Sequence, residues 1–433
     1  MSRVREASPT VSFIDAYCAH YRWVFHHVRH FEQFTQLVMG LVAETKRKSL
    51  PRLAKTVRGD PQALHHFLAH AEWSLEQLRT IRLGLIRQAL AGRPFMLCID
   101  ETGDRKKGHT TDYVAHQYIG NVHTLANGIV SVNAYGVLGT TTFPLAFRFY
   151  KPHGRLKPGD SYKSKPQLAI ELIEELQAHG FQFSVVLADS LYGESSDFTR
   201  ALHRRGLSYV VAIRENHSVW TFPGEHKRYT NWRPYARIFT DGTQDERFVR
   251  EIVFGSRGVV RYYQLTTDPK TQPKETTWYV MTNLPGKIER SVGNTFGLRT
   301  WIEYGLKQVK DELGWADYRL TDAASIARWW EVVMAAYTLV SLQSPDLAAP
   351  ALEAAAAGEP EEATPLPPVQ AHPHWDHGFG WKPQLNNLRL LLQPFLCTCL
   401  LLPWLHLIPL PHLHAGLVEL SALMNTVPSV LPT

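Results

Sequence analysis

Three acidic residues stand at positions where a nuclease would use them. Asp100 and Asp189 each follow a short apolar run, and Glu303 lies in a stretch with helical spacing. Two carboxylates at strand ends and one on a helix can hold two Mg²⁺ ions, because Mg²⁺ prefers hard oxygen ligands. A two-metal site of this kind cleaves and joins phosphodiesters. A lone aspartate at a strand end is usually a turn or cap residue, so the three acids carry meaning only together.

The angular positions of side chains around a helix show which residues share a face with Glu303. At about 100° per residue, Phe296, Arg299, Glu303 and Lys310 fall within a stripe roughly 80° wide. The adjacent stripe is apolar, so one helix can pack on a sheet and still direct these side chains to its edge. The two bases suit DNA phosphates. A solvated face with salt bridges at the same spacing is the alternative.

The excess positive charge of the chain is concentrated at its N-terminus. The 433 residues carry a formal net charge of +6. Residues 1–90 contain 13 Lys and Arg against 7 Asp and Glu, which accounts for the whole excess. This distribution favours a domain that binds a polyanion. Four scattered cysteines and a start without an apolar signal core indicate a reduced intracellular chain, expected in the cytoplasm.

The N-terminal region predicts helices that include a helix-turn-helix. A short helix begins after Ser49, Gly59 makes a turn, and Asp60-Pro61 starts a second helix. Two ordinary packed helices would give the same pattern, so that alternative stays open. The residues expected to contact DNA in this region are Lys46, Arg47, Lys48, Arg52, Lys55, Arg58, His65 and His66.

From Arg93 the pattern changes to short strands and helices. The order β-β-β-α-β-α-β, followed by a long helix, predicts an α/β fold with an RNase H-like mixed sheet. The apolar stretch at 390–410 contains three prolines, and we interpret it as a buried segment rather than a membrane span. The predicted parts are a helical DNA-binding domain at 1–90, a catalytic domain at 91–346 with a mostly β insertion at about 215–290, a linker at 347–370 and a C-terminal helical segment at 371–433.

The helix with Glu303 carries a family resemblance. Its spacing, Phe296-x2-Arg299-x3-Glu303-x6-Lys310, resembles the Tyr-x2-Arg-x3-Glu-x6-Lys signature of DDE transposases related to insertion sequence family four. The tyrosine of that signature is Phe296 here, so its hydroxyl contact to phosphate is lost or comes from another residue. Five stretches are more similar still to the insertion sequence 701 transposases, and together they span most of the chain. They are residues 100–108, 116–120, 188–193, 301–314 and 375–381.

The resemblance implies a cut-and-paste DNA transposase. Asp100, Asp189 and Glu303 would bind two Mg²⁺ ions, for which Mn²⁺ can substitute, while Arg299 and Lys310 would contact DNA nearby. The implied partners are double-stranded DNA, at the transposon inverted repeats and at the target, and further copies of the chain in a homodimer or larger assembly. The β insertion would help to hold the transposon end. Its candidates to stack on a flipped base are Trp278 and Trp232.

Other interpretations remain for parts of this pattern. Lys106 and Lys107 are expected either to bind phosphate beside the metals or to lie in a solvated loop. A transposase that has lost catalysis and acts as a DNA-binding repressor or end-binding protein would keep the same fold. A glycoside hydrolase would use two of the acids as a carboxylate pair, but it gives the basic N-terminus no role.

Overall fold

The computed structural model describes residues 5–120, 124–219, 221, 223–239, 242–255, 259–347 and 368–425. These residues form a mixed α/β fold around one large mixed sheet, with helices packed against it. The predicted linker at 347–370 lies almost entirely outside the described residues, so its conformation stays a prediction.

Eleven strands form the sheet within the described ranges. They are β1 (Phe95–Arg105), β2 (Ala115–Ile119), β3 (Thr124–Leu138), β4 (Thr141–Tyr150), β5 (Phe183–Ala188), β6 (Tyr209–Ile213), β7 (Lys227–Tyr229), β8 (Arg233–Ile238), β9 (Gln244–Phe254), β10 (Arg261–Thr266) and β11 (Trp278–Thr282). Their spatial order is β2-β3-β1-β5-β6-β11-β10-β9-β7, while β4 pairs with β3 and β8 pairs with β9.

The centre of the sheet has the predicted topology. β1, β5 and β6 are parallel neighbours, and β3 and β4 continue the sheet on the other side as antiparallel strands. The order β4-β3-β1-β5-β6 is consistent with an RNase H-like domain. β1 extends beyond its apolar run, because β3 pairs with it as far as Arg105. Asp100 therefore lies inside a strand, which corrects the prediction that it ends one.

The predicted β insertion extends this sheet. β11 pairs antiparallel with β6, and β10 and β9 follow outward in the same sheet. The short strands β7 and β8 were not expected from the sequence, and both pair with β9. Consequently the insertion shares backbone hydrogen bonds with the strand next to β5.

The helices lie before, between and after the strands. Within the described ranges they are α1 (Ser12–Ala19), α2 (Val28–Val42), α3 (Leu50–Val57), α4 (Pro61–Ala69), α5 (Leu75–Leu90), α6 (Lys165–Ala178), α7 (Ser190–Gly193), α8 (Ser196–Arg204), α9 (Val292–Gly297), α10 (Thr300–Asp311), α11 (Ala323–Ser341), α12 (Trp381–Leu407) and α13 (Pro411–Met424). Short 3-10 turns occur at Arg22–Val24, His153–Arg155, Lys274–Thr276 and Pro368–Ala371.

The pair α3 and α4 forms where the helix-turn-helix was predicted. The carboxylate of Asp60 caps α4 by accepting from the backbone N–H of Gln62, and Pro61 takes the first helical position. Arg58, rather than Gly59, takes the left-handed conformation in the turn, with φ 53°. The local signals therefore placed both helices correctly.

The N-terminal helices share one hydrophobic core with the sheet. α11 lies between them, and the hydroxyl of Tyr17 donates to the carbonyl of Ala335 at 2.8 Å. The fully buried guanidinium of Arg82 binds the fully buried carboxylate of Glu331 at 2.6 Å. It also donates to the carbonyls of Pro144 and Leu145 in β4. These contacts join α1 to α11, and α5 to both α11 and β4.

The first half of α12 completes this core, and its second half leaves it. The ring of Trp381 stacks on Tyr337 with centroids 4.2 Å apart, and Leu392 is fully buried. From Leu400 onward most apolar side chains are exposed, so the prediction of a buried segment is wrong for this part. By length and composition alone, α12 is also long and apolar enough to cross a membrane, although Pro394 and Pro403 lie within it.

Candidate active site

Asp100 and Asp189 lie next to each other because their strands are in register. β1 and β5 are parallel, and Ile99 pairs with Ala188 at the last position of their ladder. Asp100 and Asp189 are the next residue on each strand, so they meet where β5 ends. Asp189 caps α7, because its Oδ1 accepts from the backbone N–H of Leu191 at 2.9 Å. This cap fixes the orientation of one of the two carboxylates.

Glu303 reaches the same place through Arg299. Glu303 lies in the first turn of α10, and its Oε1 accepts from Nη2 of Arg299 at 2.6 Å. Nη1 of Arg299 donates to Oδ2 of Asp100 at 3.3 Å. One guanidinium therefore links the acid on the helix to the acid on β1, across 199 positions of sequence.

Burial and charge set the electrostatics of this cluster. Burial raises the pKa of Asp100 to about 7; the positive charge of Arg299 opposes that rise, and the negative charge of Asp189 adds to it. Burial lowers the pKa of Arg299, but Asp100, Glu303 and Asp189 outweigh burial and leave it raised. Asp100 and Arg299 each keep 14% of the side-chain surface exposed, against 53% for Glu303. The cluster is therefore an acidic site in which one guanidinium offsets part of the charge of three carboxylates. It is open to solvent on the Glu303 side.

The donor chemistry of this site fits a divalent cation. It offers carboxylate oxygens, which Mg²⁺ and Mn²⁺ prefer, and more negative than positive charge. In the described part of the chain, no three His, Cys, Asp or Glu side chains already stand as a set of metal ligands. At this site the guanidinium of Arg299 pairs with both Asp100 and Glu303. A metal ion bound by both acids would replace that guanidinium.

Lys310 lies at the other end of α10 and points to β1. Its Nζ donates to the carbonyl of Gly103 at 2.9 Å and lies 3.8 Å from Oδ1 of Asp104. Burial lowers the pKa of Lys310, and Asp104 opposes this effect. The sequence predicted a DNA contact for Lys310, whereas the structure holds its ammonium against the strand. Asp104 was missed, although it shares a strand face with Asp100 by the alternation of side chains.

The basic loop after β1 meets the basic segment before α3. Nζ of Lys106 lies 3.7 Å from the ring centre of Tyr318, and Lys107 is exposed. Next to Tyr318, the carboxylate of Asp317 pairs with Arg47 at 3.5 Å. The two basic regions of the sequence are thus adjacent in space.

Most of the predicted DNA-contacting residues of the N-terminal region are exposed, and one is not. The exposed ones are Lys46, Arg47, Arg52, Lys55, Arg58, His65 and His66. Lys48 is only 2% exposed, and its ammonium donates to the carbonyls of Gly40 and Ala43 at the end of α2. The structure therefore does not fit a DNA contact for Lys48, because the ammonium terminates a helix inside the protein.

The β insertion forms one wall of a cleft beside Arg299. Phe296 and Trp278 line this cleft, and their ring centroids are 6.1 Å apart. Trp278 keeps 44% of its surface exposed. Trp232 is covered by the guanidinium of Arg250 at 4.3 Å, and it does not line the cleft. Of the two tryptophans considered, Trp278 lies near the acids.

Comparison with known proteins agrees with this geometry. Residues 23–278 match the family described as the DDE superfamily endonuclease. The chain is also 54% identical over 323 residues to the probable transposase for insertion sequence element IS701 from Microchaete diplosiphon, which covers 74% of this chain and 85% of that protein. The chain belongs to the DDE transposases. The family match includes Asp100 and Asp189 and ends before Glu303. DDE transposases are nucleases that act on DNA and generally depend on a divalent metal.

Proposed function

We propose that this transposase moves its element by cut-and-paste transposition, with Asp100, Asp189 and Glu303 as its catalytic acids. The observation that carries the proposal is the meeting of all three at one sheet edge. Asp100 and Asp189 follow paired positions of parallel strands, and Arg299 joins Glu303 to Asp100. The reactions would be hydrolysis at the transposon ends and transfer of the freed 3′ ends into target DNA.

The three acids would hold two Mg²⁺ ions, for which Mn²⁺ can substitute. Bound there, the ions would supply activation of the attacking oxygen and stabilisation of the leaving oxygen. Asp100 follows a position that pairs with the residue before Asp189, and Arg299 links it to Glu303, so it would hold the ions together with both other acids. Arg299, once replaced at the carboxylates, would be free to donate to a DNA phosphate from the same helix edge.

The exposed bases support a path for DNA across one side of the molecule. The basic residues before and within α3 adjoin Lys106 and Lys107 through the loop at 314–318. Phosphate contacts of this kind position a duplex without reading its sequence. His65 and His66 lie exposed on α4, the second helix of the helix-turn-helix, where a base-reading surface is expected. The cleft lined by Trp278 and Phe296 would take a flipped base beside the acids.

The proposed assembly is a homodimer or larger complex that acts on DNA in the cytoplasm, at the nucleoid. Strand transfer joins two transposon ends to one target, which requires at least two active sites held together. Exposed apolar side chains follow the second half of α12 and continue on α13, which supports self-association, because exposed apolar surfaces mark interaction sites.

The proposal is tested by cleavage of a duplex that carries the inverted-repeat end bordering the coding sequence. The wild-type protein with Mg²⁺ should nick the duplex at the transposon boundary, and the Asp189→Ala variant should lose activity by at least 10³-fold, as expected when a catalytic group is removed. Asp197→Ala, which removes an exposed aspartate of α8, is the matched control and should cleave normally. Equal cleavage by wild type and Asp189→Ala would overturn the assignment.

A further inference from the structure

α10 is attached to β1 at two points by charged side chains. At its start, Arg299 binds Asp100, and in its last turn Lys310 binds the carbonyl of Gly103 and faces Asp104. Eleven helical residues span about 16 Å, and four strand residues span about 13 Å. The two spans match closely enough for the helix to run along the strand in the same direction. The long side chains of Arg299 and Lys310 bridge the difference between the two spans.

The second attachment is buried, and one of its members has unused bonding capacity. Asp104 is 3% exposed, and neither of its carboxylate oxygens has a hydrogen bond of good geometry. Lys310 approaches it from α10, and Lys106 and the hydroxyl of Tyr318 are its other polar neighbours. An unpaired buried carboxylate is strongly unfavourable. Asp104 therefore favours the arrangement that keeps the ammonium of Lys310 beside it.

Apolar packing and charged contacts together hold α10 along β1. The buried face of α10 consists of Ile302, Leu306 and Val309, with Gly305 close to the ring of Tyr135. Burial of such a face is not directional, whereas the charged contacts at the two ends of the helix add a directional constraint on its register. Glu303 lies on the exposed side, and Arg299 is the partner that its carboxylate binds. The position of Glu303 consequently depends on what holds α10 in register.

We propose that Asp104 and Lys310 form a positioning pair that fixes α10 along β1 and thereby sets Glu303 beside Asp100. The inference rests on the proposed function of the three acids. It assigns Lys310 to the placement of the site instead of to DNA, and it gives Asp104 a role that the sequence pattern did not indicate. Neither residue touches the reacting atoms.

The test measures Mn²⁺ binding to the full-length protein without DNA, by electron paramagnetic resonance. Asp104→Asn and Lys310→Met should each weaken Mn²⁺ binding roughly tenfold, as loss of a supporting contact behind a ligand typically does. The double variant should bind no more weakly than either single variant, because both remove the same contact. Lys307→Met, at an exposed position of the same helix, is the matched control and should bind Mn²⁺ like the wild type.

A second measurement separates positioning from DNA contact. If Lys310 bound a phosphate, Lys310→Met would lower the slope of log affinity against log salt concentration, for a random duplex, by about one. Asp104→Asn would leave that slope unchanged. The positioning role predicts an unchanged salt dependence for both variants. Asp104→Asn preserves shape, and it carries the test alone if circular dichroism shows that Lys310→Met does not fold.

The outcomes also separate this inference from the proposed function. Wild-type Mn²⁺ affinity in Asp104→Asn overturns the positioning pair. Wild-type Mn²⁺ affinity in Asp100→Asn and Asp189→Asn would instead overturn the metal site on which both depend. Loss of Mn²⁺ binding in those two variants, with normal binding in Asp104→Asn, removes the positioning pair and leaves the proposed function intact.

Discussion

Arg299 donates to Asp100 across 3.3 Å, and this bond gives the site an internal cation. The same guanidinium holds Glu303 at 2.6 Å. Three carboxylates can therefore stand together in a protein free of metal, because one arginine offsets part of their repulsion. Under the proposed function, metal ions and Arg299 would compete for the same oxygens.

Removal of this cation should strengthen metal binding. In Arg299→Gln, the free protein should bind Mn²⁺ roughly tenfold more tightly, a gain of about 1.4 kcal/mol, because the ion no longer displaces a guanidinium. DNA cleavage should nevertheless fall, since a neutral amide does not replace the charged, bidentate donation of a guanidinium to phosphate. Isothermal titration with Mn²⁺ measures the first effect. Arg290→Gln, which removes an exposed charge, is the control, and weaker Mn²⁺ binding in Arg299→Gln would contradict the prediction.

The buried lysine at the end of α2 should make stability depend on pH. Burial lowers the pKa of Lys48 to about 7, whereas an unfolded lysine titrates near 10.4. Between these values the unfolded chain binds the extra proton, so the free energy of unfolding rises with pH over this window. The contribution is absent below about pH 7 and complete above about pH 10.4.

Urea denaturation of wild type and Lys48→Met at pH 7 and pH 9 isolates this contribution. The stability of the wild type relative to the variant should increase by up to roughly 2–3 kcal/mol between the two pH values. Lys46→Met, at an exposed position nearby, should show no such change relative to the wild type. A constant difference between wild type and Lys48→Met at both pH values would refute the assignment.

Substitution of Arg82 alone, which leaves its ion-pair partner Glu331 in place, should strongly lower the free energy of unfolding. Arg82→Met leaves the carboxylate of Glu331 buried with Arg79 as its remaining basic partner at 3.1 Å, and should lower the free energy of unfolding by roughly 3–5 kcal/mol. The double variant with Glu331→Leu should recover much of this loss, because no unpaired charge remains. Chemical denaturation measures both effects. Arg200→Ala, from an exposed pair, should change stability by at most about 1 kcal/mol.

The exposed apolar face of α12 should mediate self-association. Leu400, Trp404 and Leu407 are more than half exposed, and residues 390–425 contain one acid, Glu419, and no Lys or Arg. Substitution of all three apolar residues by lysine should shift sedimentation at micromolar concentration to a smaller species. Trp23→Lys, at an isolated apolar residue that is 88% exposed, should leave sedimentation unchanged. The same sedimentation for the triple variant and the wild type would rule out this surface.

Local patterns predicted the parts of the fold that neighbouring residues determine. The cap at Asp60, the helix around Glu303 and the central strands all follow from short-range spacing, and the structure confirms them. The closeness of Asp100 and Asp189 also followed, because each comes directly after an apolar run and the two runs pair as parallel neighbours. Long-range pairing was less visible, since nothing near Asp100 in sequence indicates that β3 extends β1 to Arg105.

Charge alone does not show which basic residues distant elements bury. Lys48 and Lys310 look like surface bases in the sequence, yet each terminates or anchors a helix inside the protein. Their partners are backbone carbonyls, which no sequence motif displays. The role of Asp104 was hidden for a related reason, because its partner Lys310 comes from more than two hundred residues away.

The shared core around α11 has a consequence for the DNA itself. Arg82, Glu331 and the Tyr17 hydroxyl fasten the helices beside α4 to the sheet that carries the acids. Under the proposed function, the packing of these helices on the sheet then fixes the distance between the recognised sequence and the cut phosphodiester. One inserted base pair would shift the scissile bond by about 3.4 Å and rotate it about the duplex axis. The spacing within the transposon end is therefore as much a recognised feature as its bases.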